Sequence, residues 1–357
     1  MRVTRVEVWK VVVPMKPDTV SSACYPDSVL DTYDQIPKHI IRIHTRSGYC
    51  GIGETQRGVS RAAVDECIAA LLDQDLNRLP LLELPLPRNS AYDAFETAVL
   101  DCLGRAREVP VHILLGGKYH DRIPVDYWMG LTAPECCAER TRRGLAEGFH
   151  GIKMKAKLEL PNLERVAAIK ALAPDWTITI DPNERFYRPA GALELARELS
   201  GFTGILFESP VPQRRLDWYQ RLRDTLGLPI ALHLGTMEQL IPALEMGCAD
   251  VYNLNGSMTQ FVLSTRAAHA AGCPVWHGSG VDLGILNASF AQACAATPAD
   301  LWPSDILQFL REDDLLEEPL PMANGHVLIT DQPGLGVELD VAAVERYQVR
   351  TEQPQVA

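Results

Sequence analysis

The chain has no run of about 18 consecutive apolar residues, the length a membrane-crossing helix needs. Its first segment, MRVTRVEVWKVVVPM, alternates like a strand and lacks the small-residue cleavage site of a secretory leader. Basic blocks are missing too. With 34 Lys and Arg against 46 Asp and Glu, the net charge is −12, which argues against a nucleic-acid partner. An anionic substrate must therefore be held locally, by a metal or a few placed cations, because the overall field repels it. The nine cysteines are scattered, odd in number and form no CxxC pair, which fits reduced thiols and a cytoplasmic location. No low-complexity tract interrupts the 357 residues, a length that suits one large domain or two ordinary ones.

What is present divides into zones. Residues 1–123 read as an α+β domain. VTRVEVWKVVVP and HIIRIHTRSGYCGIGET are strand-like, the latter a hairpin turning at SG, and SRAAVDECIAALL and AFETAVLDCLGRA carry helical spacing. Between the first strands lies TVSSACYPDSVLDTYDQIP, whose length suggests a binding loop or lid. From 124 to 310 short apolar runs recur, each ending in a polar residue and followed by a helix-like segment. They are PVDYWM, GIKMK, TITID, GILFE, PIALH, DVYNLN and PVWH, with DILQFL (305–310) as an eighth. The polar ends at 155, 181, 208, 233, 255 and 277 are 22 to 27 residues apart, the length of a strand, a crossover helix and two loops. That alternation predicts a parallel sheet closed into a barrel. Residues 311–357 are expected to return to the first domain and complete it.

In such a barrel, chemistry sits at the C-terminal ends of the strands. The candidates are then Lys155, Asp181, Glu208, His233, Asn255 and His277, with Lys153 on the same strand face as Lys155. A lone KxK is most often a solvated strand face, an Asp after a strand most often a helix cap, and a lone His most often a core residue. Their succession at strand ends outweighs those readings. Asp181 and Glu208 are hard oxygen ligands suited to Mg²⁺, with Asn183 in support. A lysine beside such a cation suits general-base work, and a metal with a lysine base can take a proton alpha to a carboxylate.

Together these stretches resemble the enolase superfamily, in its mandelate racemase / muconate lactonizing enzyme branch. AFETAVLDCLGRAREVPVHILLGGKYHDRIPV, GFHGIKMK, ITIDPNERF, LFESPVP and DQPGLGVELD follow the family's order over nearly the whole length. The resemblance implies an α/β fold, a modified TIM barrel (β/α)7β under an α+β cap whose loop near residues 15–35 covers the site. It implies Lys155 as base, Lys153 against the substrate carboxylate, Lys157 as a bystander, and Asp181 and Glu208 as Mg²⁺ ligands accompanied by Asn183. The chain departs from the pattern at the fifth strand, where PIALHLG offers His233 in place of an acid as the third metal contact, with water or substrate as the alternative there. It departs again at the sixth, where Asn255 replaces a base. His277 is expected to serve as an acid. Arg185, Asn255, Asp282 and the loop residues Tyr25, Asp27 and Tyr33 are expected to contact substrate.

The expected activity is Mg²⁺-dependent dehydration of a sugar acid to a 2-keto-3-deoxy acid. The alternatives are a racemase, epimerase or cycloisomerase on the same scaffold, or a non-catalytic carboxylate-binding protein. The expected partners are a small-molecule carboxylate and further copies of the chain, with neither nucleic acid nor membrane.

Overall fold

The computed structural model describes residues 1–16 and 35–349. Three antiparallel strands begin the fold: β1 (Val3–Pro14), β2 (Gln35–Thr45) and β3 (Cys50–Glu54), paired in that order. The β2–β3 turn needs Gly48, whose φ of +86° is open to glycine and strained for other residues. Helix Arg61–Leu71, capped by the Ser60 side chain, and helix Tyr92–Arg107 cover one face of this sheet. The second helix lies unusually close. A Cβ at Gly51 would stand 2.0 Å from the Ala98 carbonyl oxygen, so only glycine lets the helix reach β3 there.

The chain then enters the barrel through β4 (Arg122–Pro124). The parallel strands β5 (Tyr127–Met129), β6 (Gly151–Lys155), β7 (Thr177–Asp181), β8 (Ile205–Glu208), β9 (Ile230–Leu234), β10 (Val251–Leu254) and β11 (Val275–His277) pair strictly with their sequence neighbours. Helices between them cover the outside, as βαβ connections require. The sheet curls until its edges meet. Val125 bridges Ser304, and Val275 bridges Leu301, both in parallel. The closing segment is therefore Leu301–Asp305. The expected eighth strand at 305–310 is displaced, because Gln308–Leu310 forms a 3-10 turn. Leu206, Ala231, Val251 and Trp276, with Trp302, make a small buried cluster of their own.

Past the barrel the chain returns to its beginning. Arg311 bridges Met15, Gln348 bridges Val11, and helix Val341–Tyr347 packs on β1. The hairpin of β12 (Met322–Ala323) and β13 (His326–Leu328) pairs with β4. No helix among the described residues is long and apolar enough to cross a membrane.

Candidate active site

Strand alternation puts Lys153 and Lys155 on the barrel's inner face, while Met154 is buried in the outer core. Register does the rest. Lys155 stands beside Asp181 across β6 and β7. Its Nζ donates to Asp181 Oδ2 at 2.6 Å and to Asn183 Oδ1 at 2.7 Å. Asn183 reaches back because the chain turns sharply after β7. Asn183 and Glu184 both have positive φ, at 47° and 68°, and so does Ser209 after β8, at 45°. Non-glycine residues held there store strain, which concentrates at functional sites. Asp181 Oδ1 accepts the Asn183 backbone N–H at 2.9 Å, which fixes the carboxylate's orientation.

Lys153 lies deeper. Its Nζ is 2.7 Å from Glu208 Oε2, 2.7 Å from Asp305 Oδ2 and 3.6 Å from Asp181 Oδ2. Burial alone would lower its pKa, but the three carboxylates outweigh burial and hold it well above the ordinary lysine value. Lys153 is therefore a fixed cation. Asp181 is held below the usual carboxylate range: burial opposes this, but the Lys155 and Lys153 charges prevail. Glu208 is pushed the other way, by burial first and the Asp181 charge second. Three carboxylates (Asp181, Glu208, Asp305) face two ammoniums, and the raised Glu208 is the electrostatic sign of that imbalance.

Glu208 Oε1 accepts from Asn253 Nδ2 at 2.7 Å. His233 Nδ1 is 3.7 Å from the same oxygen, and Asn255 Nδ2 donates to His233 Nε2 at 2.8 Å. Enclosure first, and the Lys153 charge second, push His233 down to about 4, so the ring is neutral at pH 7 with its proton on Nδ1.

The residues fit a divalent cation with two protein ligands. Asp181 and Glu208 supply hard oxygens, the cluster has an excess of negative charge, and the buried Glu208 Oε2 accepts no aligned hydrogen bond. Mg²⁺ is commonly held by one or two carboxylates, with water and substrate completing its shell. Among the described residues no three His, Cys, Asp or Glu side chains converge to hold a metal. His233 as placed turns to Asn255, and Asn183 turns to Lys155.

Other expectations change more. His277 does not join the cluster. Trp276 faces inward, its ring centroid 5.8 Å from Lys153 Nζ, so the next residue must face out. The His277 ring stacks on Phe290 at 3.7 Å and packs against Phe261 at 4.5 Å, between the outer helices. Burial pushes its pKa down to about 4, and its Nδ1 pairs with the Gly278 carbonyl oxygen. Asp282 also leaves the substrate set: it accepts from the Lys38 ammonium at 2.8 Å, and Lys38 is 3.0 Å from Glu54, all three side chains fully buried. Arg185 lies half-buried in the turn after β7. Tyr25, Asp27 and Tyr33 lie outside the described residues.

Two members of the cluster were missed in the sequence. Asn253 is two residues before Asn255 on the same strand face, a signal that was present. Asp305 carries none, because the apolar run 305–310 begins where the closing segment Leu301–Asp305 ends.

The enolase C-terminal domain-like family matches residues 137–344. An N-succinyl-L-Arg/Lys racemase of Bacillus cereus is 23% identical over 380 residues, covering 98% of each chain. A chloromuconate cycloisomerase of Cupriavidus pinatubonensis is 27% identical over 337 residues, 86% of this chain and 90% of that one. An arabinonate dehydratase of Saccharolobus solfataricus is 26% identical, covering 87% and 90%. The crystal structure of the Bacillus cereus racemase superposes with a TM-score of 0.87 over 98% of this chain and 99% of that one, at 19% identity, a likeness of fold.

Proposed function

Because the chain belongs to the enolase superfamily, in its mandelate racemase / muconate lactonizing enzyme branch, we propose that it dehydrates a polyhydroxy carboxylate by a one-base mechanism centred on Lys155. The observation that carries this reading is the asymmetry of the barrel mouth. Lys155 stands on one side, held at the mouth by Asp181 and Asn183, whereas Asn255 on the sixth strand is an amide that cannot accept a carbon's proton. A racemase needs a competent group on each face of the carbon, and His277 is turned away.

Asp181 and Glu208 would hold Mg²⁺, which when bound supplies positive charge to the carboxylate of the substrate. Lys153, a permanent cation, faces the same charge and balances what develops as the ene-diolate forms. Lys155 in its neutral form takes the alpha proton. It then returns a proton to the departing beta-hydroxyl on the same face, so that water leaves. The remaining enol gives up its hydroxyl proton as its beta carbon gains one, and becomes the 2-keto-3-deoxy acid. Each atom is accounted for as substrate to keto acid plus water. Arg185, half-buried in the turn that follows Asp181, is the proposed contact for a distal carboxylate or hydroxyl.

A panel of aldonic and aldaric acids with Mg²⁺ in D₂O tests the proposal, followed by proton NMR. The same acid should show both alpha-proton exchange and a 2-keto acid product. Exchange with inversion and no keto acid would replace dehydration by racemisation or epimerisation. Binding without exchange would identify a carboxylate-binding protein.

A further inference from the structure

A second constellation lies on the cap, away from the barrel mouth. The register of the cap sheet sets His44 opposite Arg5 on one side and opposite Cys50 on the other, all on one sheet face. Cys50 Sγ lies 3.2 Å from His44 Nδ1. His44 Nε2 lies 2.6 Å from Glu7 Oε2. The thiol and the carboxylate thus address opposite nitrogens of one ring, which is the geometry of a proton relay and does not converge on a single point as metal ligands do. With Nε2–H donated to Glu7, Nδ1 is left to accept the Cys50 proton. The Arg5 guanidinium, 3.1 Å from the ring and paired with Glu7, adds positive charge beside it.

Cys50 also has access. It lines a cleft of about 1160 Å³ between the cap sheet and the C-terminal segment, together with Arg42, Tyr49, Arg105 and Glu338. The eight described cysteines are all free thiols, yet several are suppressed. Burial pushes Cys67 up to about 11, and Cys102 and Cys294 up to about 12. Half-buried Cys50 instead has a histidine ordered by a carboxylate at hydrogen-bond distance.

We propose that Cys50, His44 and Glu7 form a thiol-modification site that reacts with low-molecular-weight disulfides to give a mixed disulfide on Cys50. His44 Nδ1 takes the Sγ proton, and the thiolate attacks one sulfur of the disulfide. One S–S bond breaks and another forms. The Cys50 sulfur is oxidised, and the departing thiolate is reduced and collects the proton from His44. The reacting disulfide supplies the oxidant, so no further reagent is required.

The test is the reaction of the native protein with 4,4′-dithiodipyridine, followed by absorbance, with peptide mapping of the modified thiol. One thiol should react in a separate fast phase, and it should map to Cys50. His44→Asn should slow that phase about tenfold or more and move the inflection of its pH–rate profile upward. Glu7→Gln should move the inflection in the same direction with a smaller loss of rate. A merely structural role for His44 would change folding without moving the inflection. The other charged groups on the cleft are Arg42 and Arg105 on the cap side and Glu317, Glu318 and Glu338 opposite. Their contributions are common to all three proteins. Circular dichroism checks that each variant is folded, and Cys50→Ser should remove the fast phase alone. A fast phase mapping to another cysteine, or a pH–rate profile unchanged in both His44→Asn and Glu7→Gln, would overturn the proposal.

Discussion

At the scale of single residues, the site rests on which way each side chain points. The KxK pair was legible because alternation puts both lysines on one face whatever else the strand does. His277 was not. The strand PVWH contains one large aromatic and one polar residue, and polarity alone points the histidine to the mouth. The barrel instead takes Trp276 inward, over the small buried layer of Leu206, Ala231 and Val251. His277 is left between Phe261 and Phe290, where its flat ring stacks well. His277→Phe should therefore leave alpha-proton exchange unchanged. It should destabilise the fold by about 1 kcal/mol, through loss of the hydrogen bond to Gly278. Exchange rates and chemical denaturation, measured on the same preparation, check both halves of that expectation.

At the scale of elements, helices and strands of the barrel announced themselves through the spacing of their polar ends, while the ties between elements did not. Glu96 shows why. It lies buried in helix Tyr92–Arg107 and accepts from the Ser257 hydroxyl at 2.9 Å and the Thr259 amide at 3.3 Å, capping a barrel helix from the other domain. No local pattern links residues so far apart in the chain. Burial pushes the Glu96 carboxyl up to about 7, against the hydrogen bonds that lower it, from an ordinary value of 4.5. Between those values the folded chain holds a proton that the unfolded chain has lost. The associated stability is full below the unfolded value and disappears as pH rises through the folded one. Glu96→Gln keeps an uncharged side chain throughout. From about pH 5 to about pH 8 the parent chain should lose about 2 kcal/mol relative to this variant, read from denaturant titrations.

At the scale of the whole molecule, cap and barrel are joined by buried charge. Lys38 of β2 meets Glu54 of β3 and Asp282 of the loop after β11, with all three side chains fully buried. Glu54 also accepts the backbone N–H groups of Leu283 and Leu286 at 2.8 and 2.9 Å, holding the start of the last barrel helix. Lys38→Met removes the shared cation and leaves two carboxylates facing each other out of water. It should cost about 3–5 kcal/mol in a denaturant titration. Asp282 read as a substrate contact in the sequence because it follows a strand end. Only the folded cap shows that its partner is a lysine 244 positions earlier. The barrel's closure was hidden for a related reason. Leu301–Asp305 closes it through single bridges on each side, too few contacts to need an apolar strand pattern.

The whole account stands on Lys155 as the group that takes the proton alpha to a carboxylate. The direct measurement is alpha-proton exchange in D₂O, followed by proton NMR, for the parent chain and for Lys155→Ala with an acid the parent turns over. Loss of a positioned base should slow exchange at least about a hundredfold and stop keto-acid formation with it, while circular dichroism stays unchanged. Exchange that continues at the parent rate in Lys155→Ala would contradict the assignment and transfer the role of base to another residue.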